Sequence, residues 1–211
     1  MTEKLPFPAG PNAASIPLIL ASGSTARAAM LKAVGLDVHL HPANVDEESF
    51  RHALRADRVT TEAAAEALAE LKAVKVAGRY PQGIVIAADQ MLDCGGIWFE
   101  KPVDRDHAFA SLQTLAGRTH RLVSSVVLYR NGARIWHHTD VAEITMRRLD
   151  DGYIERYLDH IGDEVFSTVG CYRIEGIGMH LFSKVQGDYY TILGMPLLPL
   201  LDNLREQGVV A

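Results

Sequence analysis

The chain has 211 residues, of which 48% are hydrophobic and 22% are charged, and it carries a formal net charge of −5 with a pI near 6.0. This composition is typical of a folded globular protein and excludes a disordered or collagen-like chain. The negative net charge argues against a protein that binds nucleic acid or an anionic membrane, because both need a basic surface. A local basic cleft would still bind a small polyanion such as a nucleotide.

Neither the cysteines nor the amino terminus indicates export. Cys94 and Cys171 are too few and too far apart for a disulfide framework, and no Cys/His spacing typical of a metal site occurs. Residues 1–17 contain several prolines and no continuous apolar run, which argues against a secretory signal, and no apolar run reaches the roughly 20 residues of a membrane helix. We therefore expect a cytoplasmic protein with a flexible leader over residues 1–16 and one domain over residues 17–211.

The sequence of the first half of the domain predicts strands that alternate with helices. Residues 16–21 form an apolar strand, and the apolar positions of residues 26–34 recur at the helical period. Residues 38–41 alternate like a half-buried strand. A longer helix, capped by Thr60 or Thr61, runs to Val76, and the apolar run at residues 83–89 predicts the next strand.

The sequence of the second half of the domain predicts antiparallel strands and further helices. Residues 97–99 follow a turn and form a hairpin with the preceding strand. Residues 104–115 form a helix. Asn131-Gly132, the strongest hairpin signal in the chain, joins strands at residues 120–129 and 133–146. Residues 151–160 form a short helix, residues 170–178 a glycine-punctuated loop, and residues 196–207 a closing helix.

Asp89 follows a fully apolar run, which predicts a strand that is buried on both faces and ends in a carboxylate. In open α/β sheets, ligands bind outside the carboxyl ends of such strands. From this pattern alone, two interpretations of Asp89 are equally good. It is either a catalytic group or a structural one that caps a turn or pairs with a buried cation.

The turn before the first helix has the features of a phosphate-binding site. Ser22 and Ser24 supply hydroxyl groups next to free N–H groups and the positive end of a helix dipole, and Arg27 lies in the first turn of that helix. Neither a Walker motif nor a GxGxxG fingerprint is present. A simple helix cap without a ligand is therefore the commoner alternative.

Three further charged residues fit a nucleotide site together with Asp89. Glu47 belongs to an acidic triplet in a predicted polar loop, where it is either part of a solvated face or helix start or a Mg²⁺ ligand alongside Asp89. Lys72 and Lys101 would offset the charge of a triphosphate, although a surface position is the usual one for a lysine.

A series of short motifs, in one order along the chain, resembles the Maf family of nucleoside triphosphate pyrophosphatases. The resemblance covers nearly all of the chain after residue 17. The motifs are LILASGS at 18–24, VDE at 45–47, ELKA at 70–73, IAAD at 86–89, EKP at 100–102, LAGRTH at 115–120, YRIEGIG at 172–178, and GDY and GMPL between 187 and 197. The ordered series is far more specific than any one motif.

The resemblance implies an elongated α/β/α fold with a central mixed sheet, similar to that of inosine-triphosphate-type enzymes. It also implies that a nucleoside triphosphate is split into monophosphate and pyrophosphate, with Mg²⁺ or Mn²⁺ as cofactor. Asp89 would accept the proton of the attacking water, and Glu47 with Asp89 would hold the metal. The phosphates would be bound by Ser22, Ser24, Arg27, Lys72 and Lys101.

The chain departs from the family pattern in its opening motif. The family's S-P-R-R is Ser24-Thr25-Ala26-Arg27 here, so that the proline and one arginine are missing. Losing one charge-assisted phosphate contact weakens binding by roughly 1.5 to 3 kcal/mol unless another group replaces it. Reduced turnover or an altered substrate is the expected consequence.

Gln90 and Glu175 resemble the branch of the family that prefers 7-methyl-GTP. The branch that acts on dTTP and UTP has Asp-Thr and Gln-Gly where this chain has Asp89-Gln90 and Glu175-Gly176. A carboxylate at Glu175 accepts hydrogen bonds from the N1–H and N2 amino groups of guanine, which uracil and thymine do not offer in that pattern. We therefore expect Gln90 and Glu175 to bind a modified purine.

Other functions stay open at this point. One is a dTTP- or UTP-type pyrophosphatase, and another is a nucleotide-binding regulator of cell division with weak or lost catalysis. An inosine-triphosphate-type enzyme is disfavoured by the ordered motifs. In each case the partner is a nucleotide rather than a nucleic acid or a membrane, and a homodimer is an open option for the assembly.

Overall fold

The structure is a computed structural model that describes residues 16–211. Apart from Ile16, the predicted leader over residues 1–16 lies outside the described residues. The described part of the chain forms a mixed seven-stranded sheet with helices on both faces, which confirms the predicted α/β class and the central mixed sheet. Among the described helices, none is both long and apolar enough to cross a membrane.

The sheet has a parallel part and an antiparallel part, as the order of predicted elements indicates. Its strands are β1 Leu18–Leu20, β2 Val38–Leu40, β3 Ile84–Cys94, β4 Ile97–Phe99, β5 Thr119–Arg130, β6 Ala133–Met146 and β7 Phe182–Gln186. The spatial order is β2-β1-β3-β5-β6-β7, with β4 paired to β3. β1 runs parallel to β2 and β3, and all other pairs are antiparallel.

Seven α-helices accompany the sheet within residues 16–211. They are α1 Thr25–Ala33, α2 Glu47–Ala56, α3 Thr61–Ala77, α4 Arg105–Leu115, α5 Asp151–Ile161, α6 Tyr189–Ile192 and α7 Leu197–Glu206. The acidic triplet at Asp46 lies at a helix start, which was one of the alternatives for it, although the rest of α2 was expected to be a polar loop. The Asp46 carboxylate caps α2 by accepting a hydrogen bond from Ser49 N at 3.0 Å. The short elements β7 and α6 were not predicted.

The position of Asp89 within its strand also differs from the prediction. β3 continues to Cys94, so that Asp89 lies in the middle of an 11-residue strand and not at its end. Along one edge, β3 pairs with β5 over almost its whole length. Along the other edge, it pairs with β1 up to Ile86 and with β4 from Leu92 onwards. Asp89 therefore lies in a gap between β1 and β4, where this edge of β3 has no neighbouring strand.

The pleat of β3 divides the core between the two faces of the sheet. Val85 and Ala87 pack in a cluster with α3, whereas Ile84, Ile86 and Ala88 pack in a cluster with α1 and α7. Because side chains alternate along a strand, the next two residues also point to opposite faces. The carboxylate at position 89 lies on the α3 face, and the amide at position 90 lies on the other face.

His120 on β5 is a buried polar residue that links the core to the loop before residue 175. Its imidazole is 1% exposed, and Nε2 lies 2.7 Å from the hydroxyl of Tyr172. Burial lowers the pKa of His120 to about 4. Since an unperturbed histidine has a pKa near 6.5, the unfolded chain binds a proton between these values that the folded chain does not.

Above pH 6.5, His120 is neutral in both the folded and the unfolded chain and does not reduce the free energy of unfolding. As the pH falls from 6.5 towards 4, only the unfolded chain binds the proton, so that the free energy of unfolding decreases. We expect the free energy of unfolding of the wild type to fall by about 2 kcal/mol more between pH 7 and 4.5 than that of His120→Gln, which cannot titrate. Urea unfolding at the two pH values measures this difference. Equal pH dependence in the two proteins would show that the fold does not lower the pKa of His120.

Candidate active site

A cleft of about 630 Å³ lies beside the open edge of β3. All nine residues predicted from the sequence line it, although they come from six separate parts of the chain. They are Ser22, Ser24, Arg27, Glu47, Lys72, Asp89, Gln90, Lys101 and Glu175. The structure therefore places every one of these residues in a single site.

The cleft carries more positive than negative side chains. Its lining includes five cationic and three anionic side chains, whereas the whole chain has a net charge of −5. The cations are Arg27, Arg51, Lys72, Lys101 and Arg173, and the anions are Glu47, Asp89 and Glu175. A concave surface of this kind concentrates anions, because the field of the cations is focused between low-dielectric walls.

The turn between β1 and α1 uses its two serines to hold its own backbone. Ser24 caps α1, since its Oγ accepts a hydrogen bond from Arg27 N at 3.3 Å. Ser22 Oγ accepts one from Ser24 N at 3.2 Å and another from Arg27 Nη1 at 3.3 Å. Ser24 is thus a helix cap, and the same turn also lines the cleft.

Arg27 is held in the wall of the cleft by the backbone of a glycine. Its Nε donates a hydrogen bond to the carbonyl oxygen of Gly194 at 2.9 Å. Burial lowers the pKa of the Arg27 guanidinium, and the carboxylates of Asp89 and Glu47 act in the opposite direction. The charge of the buried arginine is therefore favoured by two carboxylates that line the same cleft.

The floor of the cleft is an ion-pair cluster centred on Lys72 of α3. Lys72 Nζ lies 2.5 Å from Asp89 Oδ1 and 3.0 Å from Glu47 Oε1. The side chains of Lys72 and Asp89 are only 9% and 5% exposed. Asp89 thus pairs with a buried cation, which is one of the structural contacts predicted for it. Its second oxygen, Oδ2, is buried and has no hydrogen-bond partner among the described residues.

The cations around Glu47 favour its ionised form. Burial acts to raise the pKa of Glu47, but Lys72, Arg51 and Lys101 together hold it below its ordinary value. Arg51 Nη2 lies 2.8 Å from Glu47 Oε2. Sequence reasoning missed Arg51, although its position four residues after Glu47 would have indicated the pair once a helix start at Asp46 was recognised.

Lys101 follows β4 and faces the same group of charges. Burial lowers the pKa of Lys101, and the positive charges of Arg27 and Lys72 lower it further, whereas Glu47 and Asp89 raise it. A bound polyphosphate would relieve the repulsion among these cations. Lys101 is thus placed to gain more from an anionic ligand than an isolated surface lysine does.

The amide of Gln90 has a fixed orientation. Its Nε2 donates to Ser124 Oγ at 3.1 Å, to Thr191 O at 3.1 Å and to Ile192 O at 2.9 Å. The hydroxyl of Ser124 itself donates to Thr191 O at 2.8 Å, so that it acts only as an acceptor towards the amide. The side-chain oxygen Oε1 therefore remains available to a ligand.

Glu175 also lines the cleft and belongs to a second ion-pair cluster. Arg173 Nε donates to Glu175 Oε1 at 2.9 Å, and Arg173 Nη1 donates to Glu164 Oε2 at 2.7 Å. This cluster of two carboxylates and one guanidinium has a net negative charge. The sequence offered no signal for Arg173, since charged residues in a glycine-rich loop are common.

The site suits a divalent cation that takes few ligands from the protein. Within residues 16–211 there is no group of three or more His, Cys, Asp or Glu residues that could hold a metal. Mg²⁺ commonly takes one or two carboxylates and completes its shell with phosphate oxygens and water. Glu47 and Asp89 provide such a pair, and Asp89 Oδ2 is a buried oxygen that has no hydrogen-bond partner among residues 16–211. The residues present therefore fit the metal.

Comparisons with known proteins cover most of the chain. A profile of the family described as Maf-like protein matches residues 17–207. A nucleoside triphosphate pyrophosphatase of Paramagnetospirillum magneticum is 51% identical over 90% of this chain and 98% of its own length. A 7-methyl-GTP pyrophosphatase of Mesorhizobium japonicum is 47% identical over 92% and 97%. The solved structure of the Staphylococcus aureus Ham1 protein superposes with a TM-score of 0.49 at 16% identity, over 90% of this chain and 98% of that one.

Gly194 allows a test of how strictly Arg27 is positioned. Gly194 has φ +106°, and an added Cβ would lie 3.3 Å from Arg27 Nη2 and 3.5 Å from Nε. We expect Gly194→Ala to destabilise the fold by roughly 1 to 3 kcal/mol through backbone strain and also to weaken the binding of a nucleoside triphosphate by displacing the guanidinium. Urea unfolding and calorimetric titration with a non-cleavable nucleotide measure the two effects.

Gly132→Ala is the matched control. Gly132 has φ +77° in the turn between β5 and β6, and an added Cβ meets nothing within 4 Å. This variant should lose stability but keep the nucleotide affinity of the wild type. If both variants bind nucleotide as the wild type does, the contact between Gly194 and Arg27 has no part in binding.

Proposed function

The chain belongs to the Maf family, and we propose that it is a nucleoside triphosphate pyrophosphatase, an enzyme that converts its substrate into a nucleoside monophosphate and pyrophosphate. One observation carries the proposal. A buried carboxylate, Asp89, has one oxygen bound to Lys72 and the other without a hydrogen-bond partner, in a cleft with an excess of cationic side chains. Such a site binds a polyanion and presents a base to it.

The proposed reaction is an attack of water on the α-phosphorus. Asp89 Oδ2 accepts a proton from the water, whose oxygen forms the new bond to phosphorus. The bond between the α-phosphorus and the oxygen that bridges to the β-phosphorus breaks, and its electron pair leaves with pyrophosphate. The ion pair with Lys72 fixes the position of Asp89, so that its free oxygen is oriented before the substrate binds.

The cations of the cleft stabilise the charge that develops on the leaving group. Arg27 and Lys101 both line the cleft and would bind phosphate oxygens, together with the hydroxyl groups of Ser22 and Ser24. Charge-assisted hydrogen bonds of this kind are about twice as strong as neutral ones. Because the donors are fixed by the fold, they need little reorganisation when charge moves from the α-phosphorus to pyrophosphate.

We propose that Glu47 and Asp89 hold a divalent cation, Mg²⁺ or Mn²⁺, during this reaction. When bound, the cation supplies positive charge next to the triphosphate. The cations around Glu47 favour its ionised form, and the carboxylate of Asp89 would be the second ligand in addition to its role as proton acceptor.

The fixed amide of Gln90 and the carboxylate of Glu175 support a guanine-like base and 7-methyl-GTP as the favoured substrate. Gln90 Oε1 and Glu175 are both hydrogen-bond acceptors, whereas the amide nitrogen of Gln90 is held by protein acceptors. The edge of guanine offers two adjacent donors, N1–H and the N2 amino group, whereas uracil offers one donor between two carbonyl groups. The net negative charge of the Glu175 cluster also suits the positive charge of a 7-methylated guanine ring.

We propose a role in removing modified nucleotides from the nucleotide pool, in the cytoplasm. The two cysteines of the chain, Cys94 and Cys171, are free thiols in the structure, which is the state that a reducing compartment maintains.

Asp89→Asn tests the catalytic assignment. An amide cannot accept the proton of the water, so we expect the rate of pyrophosphate release to fall by about 10²-fold to 10⁴-fold, while the nucleotide still binds. Asp93→Asn is the control, because it makes the same change on the same strand outside the cleft and should keep the rate. Pyrophosphate release with Mg²⁺ and thermal unfolding are measured for both. An unchanged rate in Asp89→Asn would remove this carboxylate from the mechanism.

Glu175→Gln tests the assignment of the base. We expect the kcat/KM ratio between 7-methyl-GTP and UTP to fall by about 10-fold to 100-fold, because the variant keeps the shape of the side chain and loses its charge. The assay compares 7-methyl-GTP, dTTP, UTP and ITP. A wild type that prefers dTTP or UTP would contradict the base assignment. Binding without turnover across the whole panel would instead favour a nucleotide-binding protein that has lost catalysis.

A further inference from the structure

Four charged side chains form a continuous row from the rim of the cleft to its floor. Arg51 Nη2 lies 2.8 Å from Glu47 Oε2, Lys72 Nζ lies 3.0 Å from Glu47 Oε1, and the same nitrogen lies 2.5 Å from Asp89 Oδ1. Both oxygens of Glu47 are therefore bound to cations. A divalent cation can reach this carboxylate only if one of the two partners gives way.

The two partners of Glu47 are not held equally. Lys72 is 9% exposed and bridges two carboxylates, one of them buried. Arg51 is 18% exposed, lies on α2 at the rim of the cleft, and has Glu47 as its one ion-pair partner within residues 16–211. Displacing Lys72 would leave a charge at Asp89 buried and unpaired, whereas displacing Arg51 moves a guanidinium into an open cleft. Arg51 is the partner that can leave.

We infer that Arg51 is an exchangeable counter-ion of Glu47, which neutralises the carboxylate in the free protein and binds the triphosphate when a divalent cation takes its place. The inference rests on the proposed function. It assigns Arg51 to the binding of phosphate, a role that no sequence motif indicated.

The chemistry of the guanidinium suits this exchange. Its planar group of five N–H donors matches phosphate oxygens as well as it matches a carboxylate, and its charge does not depend on pH in the neutral range. The first helix contributes one cationic side chain to the lining of the cleft, that of Arg27, since the residue before it is Ala26. Arg51 adds a second guanidinium from α2.

The exchange predicts two opposite effects of one substitution. In Arg51→Gln, Glu47 keeps its negative charge and loses a competing cation, so we expect Mn²⁺ to bind the nucleotide-free protein about three- to tenfold more tightly than it binds the wild type. The same variant lacks a phosphate ligand, so it should bind a triphosphate with a methylene group between the α- and β-phosphorus about tenfold more weakly. Electron paramagnetic resonance of free Mn²⁺ and calorimetric titration measure the two constants.

Arg55→Gln is the matched control. It removes the same charge from the same helix one turn later, where the guanidinium lies over the ring of Trp98 and not in the cleft. Both binding constants should stay at their wild-type values in this variant. In the double variant Glu47→Gln/Arg51→Gln, the gain in Mn²⁺ affinity should disappear, because it acts through Glu47.

The outcomes separate the exchange from the proposed function. If Arg51→Gln binds Mn²⁺ no more tightly than the wild type, or if Arg55→Gln gains as much, the exchange is wrong. It is also overturned if neither the wild type nor Arg51→Gln binds Mn²⁺ in the absence of nucleotide. Release of pyrophosphate by the wild type with Mg²⁺ decides the proposed function independently of these results.

Discussion

The buried ammonium group of Lys72 is the interaction on which the site depends. A lysine loses hydration when it is buried, and the fold compensates with the carboxylates of Asp89 and Glu47 at 2.5 and 3.0 Å. Removing one partner of such a buried pair typically destabilises a protein by roughly 3 to 5 kcal/mol. The ion pair thus connects three elements, α2, α3 and β3, and it sets the distance between them. The two carboxylates are consequently in place before any ligand arrives.

The second constraint is the difference in length between β1 and β3. β1 has three residues and stops beside Ile86, whereas β3 continues to Cys94. The resulting gap leaves one edge of β3 without hydrogen-bonded neighbours at Asp89, and the chain that leaves β1 turns there into α1. The positive end of α1, the ammonium of Lys72 and the residues after β4 meet at this gap. A parallel pair of unequal strands therefore creates a concave site in the middle of an otherwise continuous sheet.

The sequence predicted the class of fold, most of the elements and nine residues that the fold brings to one cleft, and the reasons are local. The apolar run of β3, the helical periodicity of α3 and the Asn131-Gly132 turn are short-range signals. Arg51 and Arg173 were missed because their roles depend on ion pairs with partners that only the folded chain reveals. The end of β3 was misjudged because Asp89 looks like a strand terminus in the sequence, whereas a pairing with β5 carries the strand five residues further.

The alternation of side chains along β3 has a consequence for how this site can change. Asp89 is supported by Lys72 on one face of the sheet, whereas Gln90 is supported by Ser124 and by the backbone of α6 on the other. Under the proposed function, cleavage and base selection would thus depend on adjacent residues whose supporting contacts lie in different layers. Substitutions around α6 would then alter the choice of base while the proposed hydrolytic residues stay in place. A protein built in this way can acquire a new substrate by small steps, without passing through an inactive intermediate.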